Sequence, residues 1–207
     1  AKIKAIEESN DPRVLKSPKI RYEKWIKYRE EQVEAMRLGR PFADVGLCLR
    51  RVSHAMGFTT IARGSIIREA INPEKHMETA RQLGLPVEQA CDSVYTLAGM
   101  VESGDIPLEA VVVCKQYACT PEVMQKIFIA HRGETLSYCF DVPFEENERS
   151  VKYLADQFAE FIEYAESKFP GVIKYDEEKL AELQAKDAAG FRIYHEIFEM
   201  LKRKPSP

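Results

Sequence analysis

Five cysteines, at positions 48, 91, 114, 119 and 139, are the side chains of this sequence best equipped for chemistry, and four of them fall between Cys91 and Cys139. A thiolate is both a nucleophile and a soft metal ligand, so its surroundings decide which role it takes. Cys91 opens the stretch Cys91-Asp92-Ser93 near the start of an expected helix, where the dipole and free amides favour a thiolate. Its ordinary alternative is a half-buried residue on the inner face of that helix. Cys119 stands directly before another expected helix N-terminus, five residues after Cys114. Cys114, which closes the run Val111-Val112-Val113, and Cys139, in Ser137-Tyr138-Cys139-Phe140, read as core strand residues. No two cysteines have the C-x-x-C spacing of zinc or thioredoxin-like sites. The 114/119 pair would put one sulfur inside a strand and one beyond it, which suits a tetrahedral zinc knuckle badly.

The four histidines, His54, His76, His131 and His195, form no pattern, and each has an ordinary helical place. No G-x-G-x-x-G, Walker-type phosphate loop or G-x-S-x-G elbow occurs, which excludes dinucleotide, ATP or serine-hydrolase chemistry by those routes. Arg50-Arg51 are candidates for an anionic ligand, with a solvated helix face as the simpler role.

The elements that must position these residues follow from periodicity and punctuation. Residues 1–18, broken by Pro12 and Pro18, read as a polar arm, with a single domain over 19–207. A helix is expected from Ile20 to Leu38, stopped by Gly39 and Pro41, and a second from Asp44 to Met56, closed by Gly57. Phe58–Ala62 is a short β-rich run. Asn72-Pro73-Glu74 starts a helix that Gly84 ends. Val87–Val101 reads as a helix, Ala110–Cys114 as a buried strand, Thr120–His131 as a helix and Thr135–Asp141 as a strand. Long amphipathic helices over 151–168 and 177–202, separated at Gly171, complete the chain. This alternation predicts an α/β fold with a parallel sheet covered on both faces. Functional groups in such sheets gather beyond the carboxyl ends of the strands, which brings Cys119 and Asp141 to one edge and gives Cys91 access to the same cleft.

The 207 residues carry 30 Lys and Arg against 33 Asp and Glu, a net of −3, so no strong positive field points to nucleic acid. No apolar run approaches the ~20 residues of a membrane helix. A cytoplasmic setting is expected, and in it five thiols do not read as a disulfide framework.

An ordered series of motifs carries the reading further. Ser53-His54-Ala55-Met56-Gly57-Phe58, then Cys91-Asp92-Ser93 through Gly99, Gly104-Asp105-Ile106, Val111-Val112-Val113 with Cys119, and Phe140-Asp141-Val142-Pro143-Phe144 follow one another. Tyr153-Leu154-Ala155-Asp156-Gln157-Phe158, Tyr175 through Leu180 and Lys204-Pro205-Ser206-Pro207 come after. Over roughly residues 35–207 the chain resembles the 2-hydroxyacyl-CoA dehydratase and benzoyl-CoA reductase family, in particular the N-terminal domain of a D-component-like subunit.

That resemblance implies a Rossmann-like α/β domain in one subunit of a two-subunit enzyme, paired with a second homologous subunit. It implies a [4Fe–4S] cluster on cysteines, an acyl-CoA substrate, and an ATP-dependent activator, itself carrying an iron–sulfur cluster, that supplies a low-potential electron. The electron makes a ketyl radical anion from the thioester carbonyl, which permits dehydration or aromatic ring reduction. By position, Cys91 and Cys119 would be the cluster ligands, and Cys48 falls out of register with the family's early cysteine. Two departures stand out. Leu49-Arg50-Arg51 replaces the family's Pro-Glu-Glu, which removes an expected active-site carboxylate. Relatives also continue into a further domain that supplies another ligand, so a fragment or a partner-completed subunit is expected. The resulting alternative is a non-catalytic structural or electron-relay subunit of the same fold.

Overall fold

The computed structural model describes residues 2–9, 11, 16–45, 49–61, 72–84, 91–114 and 136–202, and side chains are described for these except at 2, 113 and 114. The expected helix over 120–131, together with Cys48, Cys119 and His131, lies outside the described residues. The chain divides into two compact units, residues 1–40 and 41–207.

The first unit holds α1 (Lys2–Glu8) and α2 (Ser17–Arg37). Pro18 sits in the first turn of α2, where its missing N–H costs nothing. Lys19 Nζ bonds Glu7 Oε1 at 2.6 Å and Lys16 Nζ donates to the Ile6 carbonyl at 3.1 Å, tying α1 to the start of α2. Gly39, at φ +63°, ends α2 in the left-handed region and donates to the Met36 carbonyl.

Among the described residues the second unit is built on four parallel strands: β1 (Phe42–Val45), β2 (Thr59–Ile61), β3 (Ala110–Cys114) and β4 (Leu136–Phe140), in the order β2-β1-β3-β4. Ala43 pairs with Thr60 on one side and Ala110 on the other, and β3 pairs with β4 from Ala110–Leu136 to Cys114–Phe140. The parallel α/β expectation holds. The helix expected from Asp44 does not: Phe42, Ala43, Asp44 and Val45 form the inner strand β1, all four buried. Only α3 (Arg50–Ala55) of that stretch is helical among the described residues. Helical spacing lost because β1 draws its hydrogen bonds from two distant strands, information that no local pattern carries.

One face of the sheet is closed by α3 and by α6 (Glu148–Lys168). The core there joins Ala43, Val45, Ala110, Val112, Leu136 and Phe140 to Met56, Phe58, Phe161, Ala165 and Ile173. Phe161 stacks against Phe140 and Tyr138 at 5.5 and 5.3 Å between centroids. His54 Nε2 and Thr60 Oγ1, 2.8 Å apart, pin α3 to β2.

The route from β2 back to β3 uses α4 (Pro73–Gln82) and α5 (Asp92–Glu102), packed antiparallel. Asn72 caps α4 by accepting from the Lys75 amide at 3.2 Å, and Pro73 occupies the first turn, both as read from sequence. The contact is closest where Gly99 of α5 lies on the backbone of His76. Last comes α7 (Glu177–Leu201), capped by Asp176 and bound to α3 through the ion pair between Arg51 and Asp187. None of its residues is fully buried.

Candidate functional site

The strand order places the sheet's switch point between β1 and β3, since the chain leaves β1 for β2 on one side and returns to β3 on the other. Crevices outside the carboxyl ends of such strands are where α/β proteins bind ligands. The last leg into β3 is α5, which ends at the amino edge of the sheet, so its opposite end points toward the carboxyl edge. At that end stands Cys91.

Cys91 is the N-cap of α5, with extended backbone at φ −79° and ψ 160° and an exposed side chain. It is therefore not on the inner face of a helix, and α5 begins at Asp92 rather than at Val87. Partial burial pushes its thiol up. The Ser93 hydroxyl and the amides of Val94 and Ser93 outweigh that and bring it below the ordinary value. These donors belong to the first helical turn, and donors so placed favour a sulfur anion. Of the other thiols, Cys139 is half-buried on β4, beside Val113 in register.

Asp141 leaves the carboxyl end of β4 and is held by α6. The Gln157 side chain accepts from the Asp141 amide at 2.8 Å and donates to its carbonyl at 3.0 Å, while the Tyr153 hydroxyl donates to the carboxylate at 3.2 Å. One turn below, the Tyr138 hydroxyl donates to the Gln157 carbonyl at 3.1 Å and to Glu160 at 2.8 Å. Burial, then the Glu160 carboxylate, holds the Tyr138 phenol well above its usual range, so it stays protonated as a donor. The carboxylate of Asp141 and the exposed Phe144 just beyond it are thereby presented from a fixed backbone. Gln157 and Tyr153 stand in the sequence as members of an amphipathic helix and of the Tyr153–Phe158 motif, with nothing to tie them to Asp141. The signal that finds them is their i, i+4 spacing one turn ahead of Phe161, opposite the end of β4.

Removing the Gln157 amide leaves two backbone groups to water, so Gln157→Ala is expected to cost about 1–2 kcal/mol in urea unfolding. It should also speed exchange of the Asp141 amide. Unchanged exchange at Asp141 would rule out this clamp.

Leu49-Arg50-Arg51 occupies the start of α3. Leu49 is 2 % exposed in the core, and Arg51, one of the two arginines at the expected carboxylate positions, is committed to Asp187. Among the described residues, no three His, Cys, Asp or Glu side chains converge on a metal-sized site.

Residues 51–207 match the family model described as 2-hydroxyglutaryl-CoA dehydratase, D-component. The chain belongs to that family. The matched span takes in Cys91, Cys119 and Asp141-Val142-Pro143 and leaves α1, α2 and β1 outside it. Comparison with curated proteins gives no match. Membership places this D-component chain among the components of dehydratase-type enzymes for 2-hydroxyacyl-CoA, which work as heteromers. No helix among the described residues is long and apolar enough to cross a membrane.

Proposed function

We propose that this D-component chain is a cytoplasmic subunit of an iron–sulfur CoA-thioester enzyme, with Cys91 and Cys119 as ligands of a [4Fe–4S] cluster. The observation that carries the reading is the exposed Cys91 thiol at the N-cap of α5, lowered by first-turn donors, in a chain of this family. A deprotonated, accessible sulfur is what an iron–sulfur ligand must be. The donor set fits one thiolate from α5 and one from the segment after β3, with remaining ligands from a second homologous subunit. When bound, such a cluster relays one electron from an ATP-dependent iron–sulfur activator to the thioester carbonyl of the acyl-CoA substrate, the entry to dehydration or to aromatic ring reduction. The chain's own residues do the positioning. The α5 N-terminus holds its thiolate at the cleft, and the Gln157 clamp keeps the backbone beside Asp141 at the same edge of the sheet.

A second reading, an electron-relay or structural subunit without its own catalysis, is favoured by the start of α3. There Arg50 and Arg51, the latter paired with Asp187, stand where a catalytic carboxylate is expected. Iron and acid-labile sulfide per chain, with EPR, on anaerobically purified protein test the ligand assignment. About four of each are expected, lost in Cys91→Ser and in Cys119→Ser. Full iron content in both variants would overturn it. Turnover of an acyl-CoA by the iron-loaded complex separates enzyme from relay.

A further inference from the structure

Of the polar side chains on α3, two are committed. Arg51 pairs with Asp187 of α7, and the His54 ring meets the Thr60 hydroxyl on β2. Arg50 and Ser53 are not. The Nε–H of Arg50 is shut off from solvent and meets no acceptor, and the Ser53 hydroxyl, on a fully buried residue, is equally without a partner. Among the described residues no carboxylate pairs with Arg50. Buried donors without acceptors are costly, and a guanidinium cannot shed its charge to lessen the cost.

The two groups are neighbours, and the fold gives them a place. Their i, i+3 spacing brings the Cβ atoms within about 5–6 Å of each other along the helix surface. The helix follows the carboxyl end of β1, the inner strand at the switch point, and helical side chains lean toward the amino end of their own helix. Arg50, in the first turn, therefore reaches back toward the crevice edge of the sheet. Leu49 and Met56 fasten the same helix to the core, so both donors stand on a fixed backbone.

We propose that Arg50 and Ser53 form a receptor for one oxyanion, a carboxylate or a phosphate. The Nε–H and the adjacent Nη–H of a guanidinium make a planar fork that matches two oxygens of such a group, and Nε is the arm left open here. The Ser53 hydroxyl supplies a further donor beside it. A neutral ligand would leave the guanidinium uncompensated and a cation would be repelled, so the chemistry selects an anion. On the functional reading above, on which this step alone rests, the anion arrives with the acyl-CoA. Two parts of that molecule present the same oxygens: an acyl chain that ends in a carboxylate, and the phosphates of the coenzyme.

The receptor is tested first without any thioester. In nitrogen–proton correlation spectra of the full chain, the Arg50 Nε–H resonance, identified by its loss in Arg50→Lys, is expected to shift with inorganic phosphate or glutarate and to stay in place with chloride at the same ionic strength. A resonance unmoved by both oxyanions overturns the proposal, whether or not a thioester binds. Calorimetry with butyryl-CoA and glutaryl-CoA, which differ by one carboxylate, then finds the source. Arg50→Gln is expected to weaken glutaryl-CoA roughly 10- to 100-fold and Ser53→Ala roughly 3-fold. An equal loss with butyryl-CoA assigns the coenzyme's phosphates, and a loss confined to glutaryl-CoA assigns the acyl carboxylate. Thioesters bound equally well by wild type and Arg50→Gln overturn the proposal. If neither thioester binds while Arg50 still answers to free oxyanions, the receptor is supported and the acyl-CoA reading is the one that fails.

Discussion

Gly99→Ala is expected to lower the thermal midpoint by roughly 10 °C, the shift that about 3 kcal/mol produces in a chain of this size. A Cβ at this position would stand 1.9 Å from the His76 carbonyl oxygen and 2.5 Å from its carbon, where real contacts do not fall below 3.0 Å. These are backbone atoms, so no rotamer change relieves the overlap, and α4 and α5 must move apart. Ala80, Tyr95 and Ala98 then lose their mutual packing. Truncating the histidine gives no rescue, and His76→Ala/Gly99→Ala should melt no higher than Gly99→Ala alone. Melting by circular dichroism checks both. A single variant within about 2 °C of wild type would mean that the helices do not approach this closely. Because α5 carries Cys91 at its other end, the variant should also weaken whatever that thiol holds.

Phe161→Ala should cost about 3–5 kcal/mol in urea unfolding, the range for deleting a buried aromatic ring. Phe161 is fully buried and packs against the rings of both Tyr138 and Phe140. Phe161→Leu keeps most of the volume and should cost about 1 kcal/mol. The larger deletion reaches the candidate site as well. Gln157, one turn earlier on α6, holds both backbone groups of Asp141. A helix no longer anchored at Phe161 cannot keep that register, so the Asp141 amide should exchange faster in the alanine variant than in the leucine one. A loss below about 1 kcal/mol for Phe161→Ala would show that α6 is anchored elsewhere.

Helix ends were largely legible in the sequence, because capping is local chemistry. Asn72 before Pro73 and the glycines at 39, 57, 84 and 171, all at positive φ, mark ends that the structure shares. The strand β1 was not legible. Its four residues include the buried Asp44, which no strand propensity favours, and its conformation is set by partners 17 and 67 positions away. The start of α5 was read too early because Val87 continues an apolar period, whereas the cap that ends it is Cys91, a residue without a strong capping signature. Of the candidate site, the place of Cys91 at a helix N-terminus could be read from local pattern. The expectation that it shares a cluster with Cys119 came from a resemblance, since spacing alone does not say which thiols meet. Gln157 could not be assigned, because its partners are the backbone atoms of a strand end, and backbone atoms leave no trace in composition.

The pairing of Ala43 with Ala110 sets a schedule for the ribosome. Once β1 has emerged, roughly 70 residues must still be made before its second partner exists, and at 5–20 residues per second that interval lasts roughly 3–14 s. During it β1 has only the three-residue β2 beside it, and the edge that β3 will occupy is unsatisfied. The nascent chain therefore spends seconds as an open-edged intermediate, and slower translation before residue 110 lengthens its need for chaperone cover.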